Sequence, residues 1–332
     1  MRSAEGAVLD RRAFLGTVAG GLLAAPLAAE AQQPRVYRVG VIVQGGPYLG
    51  AVDGLRKGLA EMGFEEGKQF ILDVRDGSGD LKVVEQAAGD LEREKVDLIY
   101  SLGTRVTLVV KRATKTVPIV FNAGNDPVSG GLVESFRKPG RRLTGTFSRS
   151  AELTGKRIEL LKEMVPRLRR VVTFYNPTNL TTQLGVKIAR DAARRLKVEL
   201  VEHRVGSVEE LRAGVHALRA GEADAYCALP DGMVISQTAL IIDTARAKKL
   251  ATMFIEQESV VHGGLASYGV SYFAIGQLSA RYVHQILLGV NPGDLPVEQF
   301  DRLYFVINLK TAKALGLTIP PSLLQRADQV IE

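Results

Sequence analysis

Gly103, Thr104 and Arg105 stand together directly after an apolar run. A hydroxyl, a guanidinium and the unpaired amides of a helix start can each take a carboxylate, the guanidinium in bidentate fashion. Asp126 and Asp231 also follow apolar runs and would suit an ammonium, so the two sets paired would fit an amino acid. Gln44, Asn122, Asn176, Asn179 and Glu256 occupy comparable places, and Tyr48, Tyr175, Tyr268 and Tyr272 near strand ends offer faces for a flat ligand. Each has a structural alternative: Thr104 as a helix cap, Arg105 as a solvated cation, the Asx residues as turn formers, and the tyrosines as half-buried packing. Their convergence on one edge is what raises the group above its members. Asp231→Ala is therefore expected to weaken ligand binding with thermal stability nearly unchanged, whereas a collapse of stability would make Asp231 a structural cap.

These residues need elements to position them, and the chain supplies strands alternating with helices. Strands are expected at 36–43, 70–74, 96–102 and 118–121, with helix faces marked by Val52, Leu55, Leu59 and Met62, by Leu81, Val84, Ala88 and Leu91, and by Val106, Val109, Val110 and Ala113. The pattern then repeats. A helix over 151–165 precedes strands at 170–175, 198–205, 223–229, 252–255 and 265–268, with helices up to Leu196, near 208–218 and near 234–250. Such alternation with short connections predicts α/β architecture: two doubly wound parallel-sheet lobes. The pattern falters at 137–150, 269–272 and 296–306, which are the expected linking segments. Lobe 1 is thus expected at 35–148 plus about 273–300, and lobe 2 at 149–272 plus about 301–332, with hinge crossings near 148, 271 and 300. Ligands of open parallel sheets bind beyond the carboxyl ends of strands. The loops at 44–48, 103–105, 122–127, 176–179, 230–232 and 256–258 should therefore line a cleft between the lobes.

Several function classes lack their signatures. Gly45, Gly46 and Gly50 do not fit G-x-G-x-x-G, and neither a phosphate-binding G-x-x-x-x-G-K-[ST] loop nor a G-x-S-x-G elbow occurs. His203, His216, His262 and His284 are widely separated, so no metal is expected; no cofactor or catalytic residue is expected either. Cys227 is the single cysteine, which excludes an intrachain disulfide and reads as a small buried residue. The formal charge of +7 is scattered along helix faces without an aromatic-interleaved basic tract, which argues against nucleic acid as a partner.

The first residues carry a different signal. Arg11-Arg12 precedes Phe14-Leu15 and an uncharged run from Gly16 to Ala29, and Ala29-Glu30-Ala31 suits cleavage before Gln32. Residues 1–31 read as a signal peptide, the paired arginines resembling a twin-arginine (Tat) signal, although Asp10 and Gly16 depart from that motif. The product is expected in the periplasm as a soluble monomer without a membrane anchor.

Longer stretches resemble a known family. Asn125-Asp126-Pro127-Val128 with Gly131-Leu132-Val133, Pro139-Gly140, Leu143-Thr144-Gly145 and Gly155-Lys156-Arg157 with Leu160-Leu161-Lys162-Glu163 carry the likeness through the first half. Asn176-Pro177, Gly263-Gly264-Leu265 with Ser267-Tyr268-Gly269, Leu295-Pro296-Val297-Glu298-Gln299, and the block from Val306 to Lys313 followed by Pro320-Pro321 continue it. Together they resemble the ABC transporter substrate-binding proteins of the tryptophan/tyrosine-uptake type. The resemblance implies a type I periplasmic-binding-protein fold whose lobes close on a small-molecule ligand and dock to an inner-membrane ABC permease. It implies no catalysis, and an amino acid as one class of ligand. Arg105 departs from the small residue or Pro that relatives commonly carry. A ligand sensor serving a membrane receptor would share the same fold and cleft, and a periplasmic α/β enzyme would need a nucleophile and base in the pocket.

Overall fold

The computed structural model describes residues 35–332; the expected signal peptide, with Arg11, Arg12 and the cleavage point, lies outside them. The first run of elements is β1 (Tyr37–Val43), α1 (Leu49–Glu61), β2 (Phe70–Asp76), α2 (Leu81–Arg93), β3 (Leu98–Leu102), α3 (Thr104–Ala113), β4 (Ile119–Ala123) and β5 (Leu143–Phe147). The second comprises α4 (Thr154–Met164), β6 (Arg170–Tyr175), α5 (Leu180–Leu196), β7 (Glu199–Arg204), α6 (Val208–Ala217), β8 (Ala225–Cys227), α7 (Gly232–Ile235), α8 (Thr238–Lys248), β9 (Ala251–Glu256), α9 (Glu258–Val261) and β10 (Ala266–Val270). The closing elements are α10 (Tyr272–Leu287), β11 (Glu298–Gln299), β12 (Tyr304–Asn308), α11 (Leu309–Ala314), α12 (Pro321–Leu324) and β13 (Gln329–Ile331).

Two sheets result. The six-stranded sheet runs β11-β5-β4-β3-β1-β2, all parallel; the seven-stranded sheet runs β13-β12-β10-β9-β8-β6-β7, parallel except where β12 meets β10. Central strands such as β3 and β4 are buried along their whole length, which explains their mainly apolar sequence. Val84, Ala88 and Leu91 of α2 join Val106 and Val110 of α3 over one face of the six-stranded sheet, while Leu55 and Leu59 of α1 join Ile275 and Val283 of α10 on the other. Helices α1 and α10 meet at glycines: a Cβ on Gly54 would lie 1.9 Å from the Phe273 carbonyl oxygen, and one on Gly276 would lie 2.0 Å from that of Ala51. In the seven-stranded half, Ile158 and Leu161 of α4 and Val186 and Ala189 of α5 cover one face; Leu211 and Val215 of α6 and Ile241 and Ile242 of α8 lie in the cluster on the other.

The chain passes between the sheets after β5, between β10 and α10, and between β11 and β12. Two polar groups tie the first two of these passages. Arg157 is fully buried; its Nε donates to the Tyr268 carbonyl at 2.8 Å and its guanidinium also reaches the Ser150 carbonyl at 2.9 Å and Ser150 Oγ at 3.2 Å. Burial lowers its pKa to about 10. Glu258 accepts from Ser271 Oγ at 3.1 Å and from the Phe273 amide at 3.0 Å, so a carboxylate of the seven-stranded half caps the start of α10.

Some elements differ from expectation. The stretch 143–147 is an interior strand; Gly145, at φ 152, lies so close to β4 that a Cβ would come within 2.0 Å of the Phe121 carbonyl oxygen. The helix expected near 234–250 is two, broken at Ser236, whose hydroxyl donates to the Met233 carbonyl at 2.7 Å. Cys227 is buried and burial pushes its thiol up to about 12. Among the described residues no helix is long and apolar enough to cross a membrane.

Candidate functional site

A cavity of about 730 Å³ lies where the carboxyl ends of the two sheets face each other, within the range of small-molecule sites. The six-stranded half contributes Gln44 and Tyr48 after β1, the 77–83 segment after β2, Gly103 to Val106 after β3, Asn122 and Gly124 at β4, and Ser148 after β5. Asn176 and Asn179 after β6, the 206–209 loop with Arg212, Pro230 to Met233 after β8, Ile255, Val270 and Tyr272 complete the lining.

Gln44 is 4% exposed, yet its carboxamide has no hydrogen-bond partner among the described residues. It abuts Gly232 of the opposite half, where a Cβ would fall 2.1 Å from Gln44 Oε1. Asn122 donates through Nδ2 to Thr146 Oγ1 at 3.0 Å, and its own side-chain oxygen receives no donor from the described residues. Thr104 is not the cap of α3. That position belongs to Gly103, at φ 96, and Thr104 Oγ1 instead donates to Asn125 Oδ1 at 2.6 Å and accepts from the Gly124 amide at 3.1 Å. Arg105 lines the cavity, half-buried, with no hydrogen bond or ion pair to the described residues.

Asp231 is 1% exposed and accepts hydrogen bonds on both oxygens. Its Oδ2 accepts from the Asn176 amide at 2.9 Å, Thr182 Oγ1 at 3.2 Å and Asn179 Nδ2 at 3.3 Å, and its Oδ1 from the Met233 amide at 3.1 Å. Three of these contacts fall on Oδ2, where the Thr182 hydroxyl proton is shared with the Pro230 carbonyl at 2.9 Å, and Oδ1 keeps one acceptor site open. Asp231 therefore caps α7 and joins the loops after β6 and β8 while also lining the cavity. Asn179 caps α5 through the Thr181 amide at 3.2 Å, and Asn176 folds its own turn by accepting from the Thr178 amide and hydroxyl at 2.9 and 2.7 Å.

Three expected residues are not brought to the lining. Asp126 turns into its own loop, accepting from the Val128 and Ser129 amides at 2.8 and 3.1 Å. Glu256 is 1% exposed behind the cavity, bonded to the Ser259 hydroxyl, and burial pushes its carboxyl up to about 8. Tyr268 packs on the opposite face of its sheet, edge-on to Phe305 with ring centroids 6.3 Å apart. Of the tyrosines, Tyr48 and Tyr272 do line the cavity. Their rings lie 4.5 Å apart, tilted by 35°, and burial raises the pKa of both. Tyr175 instead bonds Glu202 at 2.7 Å.

The segments after β2 and β7, with the starts of α2 and α6 that follow them, supply Lys82, Ser207 and Arg212, which the reading of the sequence missed. The strand-end rule itself could have found them, since Gly77-Ser78-Gly79-Asp80 and Val205-Gly206-Ser207 follow strands as plainly as the other loops do. The two halves also touch here: a Cβ on Gly46 would lie 2.9 Å from the Ile235 carbonyl oxygen, and one on Gly79 would lie 2.7 Å from Ser236 Oγ.

Residues 37–331 match a family profile described as ABC transporter substrate binding protein. The chain belongs to that family. This ABC transporter substrate-binding protein is 28% identical to a tyrosine-binding protein of Clostridioides difficile over 267 residues, 80% of this chain and 76% of that protein. Among solved structures it resembles a conserved domain protein of Vibrio cholerae, with TM-score 0.78 and 31% identity over 90% of this chain and 99% of that one. It also resembles an ABC domain from Streptococcus pneumoniae in complex with L-Trp, with TM-score 0.77 and 26% identity over 90% and 100%. An allitol-bound solute-binding protein of Agrobacterium vitis, 15% identical with TM-score 0.57, shares the fold over 85% of this chain and 97% of that one. The fold is the type I periplasmic-binding-protein fold, and the family is one of substrate binding, not of enzymes.

Proposed function

We propose that this chain is the solute-capture component of an ABC importer: exported by residues 1–31, it binds a small organic molecule between its lobes and delivers it to a permease. The observation that carries this reading is the cavity of about 730 Å³ built from both halves, whose lining includes unpartnered Gln44 and Arg105 on one side. A ligand that touches both halves favours the closed arrangement by its extra contacts there. The three passages act as the hinge, the first two tied by Arg157 and Glu258, with lobe boundaries near residues 148, 271 and 300. Within the site, Gln44, Arg105, Asn122 and Asn176 contact the ligand, Tyr48 and Tyr272 wall it, and Thr104, Asn179 and Asp231 hold the loops. The relatives whose names refer to tyrosine and L-Trp support an amino acid or a related carboxylate as ligand.

Native mass spectrometry of protein purified without refolding tests capture directly, and uptake by a strain lacking the gene tests delivery. Retention of one small molecule, and loss of its uptake in the deletion strain, are the expected results. A protein that retains nothing, and whose Tm does not respond to amino acids, carboxylates or polyols, would contradict the reading.

A further inference from the structure

A second cavity, of about 240 Å³, opens on the seven-stranded half. Helix α8 gives it Ile242, Ala245 and Arg246, and α11 gives it Lys310, Ala314 and Leu315. Its place follows from strand direction. Helix α8 leads into the start of β9, and β12, antiparallel to β10, sets its Ile307 against Ala266, the first residue of β10, before the chain turns into α11. The two helices therefore meet at the amino ends of β9 and β10, whereas the first cavity lies at the carboxyl ends. A molecule bound here would leave the cleft free.

The walls of this cavity are apolar, with Ile242 and Ala245 buried, and their hydroxyls already have protein partners. Thr311 Oγ1 donates to the Gly263 carbonyl at 3.0 Å, and Thr252 Oγ1 accepts from the Leu265 amide at 2.8 Å. The rim is cationic. Arg246 lies against Gly263, where a Cβ would fall 2.9 Å from its Nη2, and its ion pair with Asp243 is an exposed contact at 3.4 Å that contributes little. Lys310, on the other wall, is exposed and has no hydrogen bond or ion pair among the described residues. Lys248, Lys249 and Lys313 flank the same two helices, also without an ion pair there. The helix dipole accounts for Arg246 and Lys248 in the last turn of α8, but Lys310, in the first turn of α11, gains nothing from its helix. An apolar cavity of about 150 Å³ holds benzene, so this one has room for a single ring or a chain of about six carbons. A polar anion would leave the walls unused, and a neutral hydrocarbon would leave the rim unused. We propose that this cavity is a second small-molecule site, one that takes an apolar carboxylate, with its hydrocarbon against Ile242, Ala245 and Leu315 and its charge between Arg246 and Lys310. The site stands apart from capture in the cleft, so neither reading depends on the other.

Isoleucine δ1-methyl NMR of the mature protein reads the two cavities separately in one titration, because Ile242 lines the second while Ile235 and Ile255 line the first. Hexanoate should shift the Ile242 methyl saturably and bind there at least about fivefold tighter than hexan-1-ol, which has the same chain without the charge. Acetate, which has the charge without the chain, should leave Ile242 in place. The double variant Arg246→Gln, Lys310→Gln should bring hexanoate to within about twofold of hexan-1-ol at Ile242. It should keep the wild-type Tm and the wild-type response at Ile235 and Ile255, since both altered side chains are exposed and belong to the other cavity. Shifts confined to Ile235 and Ile255, an Ile242 response that never saturates, or hexan-1-ol as tight as hexanoate would overturn the inference. So would a double variant that keeps the wild-type preference for hexanoate. None of these results bears on capture, which would fail instead through absence of cargo and of any response at Ile235 and Ile255.

Discussion

On the seven-stranded side of the cavity Asp231 is 1% exposed and holds four protein donors, while on the six-stranded side Arg105 is half-buried and holds none among the described residues. Both residues follow a strand, and both have the chemistry of a ligand contact. The difference lies in what the neighbouring loops require. The loops after β6 and β8 turn their amides and hydroxyls toward one point, and a buried carboxylate there satisfies donors that would otherwise be orphaned. The loop after β3 is closed by Gly103 at positive φ and by Thr104 reaching Asn125, which leaves Arg105 without a structural task. The same contrast extends deeper, since Glu256 and Arg157 of the seven-stranded half are buried as well. A polar residue at a strand end is thus informative about ligand only after its protein partners are counted.

That contrast can be broken by mutation. Asp231→Ala should have the largest effect, about 4 kcal/mol of lost stability from several orphaned buried donors, which lowers Tm by roughly 10 °C. Thermal denaturation of the apo-protein checks this, and an unchanged Tm with binding lost would return Asp231 to the ligand. Glu256 comes next. Its folded-state pKa, about 8, lies above the ordinary 4.5, so the stability it contributes is complete below about pH 4.5 and is lost as pH rises through about 8. Glu256→Gln should flatten that slope and add about 2 kcal/mol near pH 8, measured as chemical-denaturation midpoints across pH; a variant with the wild-type slope would place the titration elsewhere.

On the six-stranded side, Arg105→Gln should change stability by less than about 0.5 kcal/mol, as for surface substitutions free of specific contacts. A separate effect, on affinity, is expected at the contact between the halves. Gly46→Ala would place a Cβ 2.9 Å from the Ile235 carbonyl oxygen and adds strain at φ 57. Closure should suffer, with affinity reduced by about threefold to tenfold and a larger radius of gyration by small-angle scattering in saturating ligand. Affinity equal to wild type would mean that this contact does not limit closure.

Much of the fold was legible because its signals are local. The apolar runs at 37–43, 98–102 and 170–175 are strands, and the caps at Asp80, Asn179 and Ser207 sit where short polar side chains precede helical spacing. The strand 143–147 was harder to see, since Leu-Thr-Gly-Thr-Phe carries two hydroxyls and a glycine. Burial there depends on the Asn122–Thr146 bond and on the close approach of Gly145 to Phe121, both contacts with β4. The antiparallel β12 and the packing of α10 on α1 were likewise invisible, because each joins segments far apart along the chain.

The sequence by itself determined alternating strands and helices, two sheets, the strand-end location of the cavity and, through motifs spread over 125–321, the family. Periodicity and short-range caps suffice for that, since each depends on residues a few positions apart. Only the tertiary structure decided which polar residues at those strand ends remain for a ligand. Hydrogen-bond partners are set by neighbours in space: Asn176, Asn179 and Thr182 reach Asp231 from about fifty residues away, and their approach alone separates its role from that of Arg105.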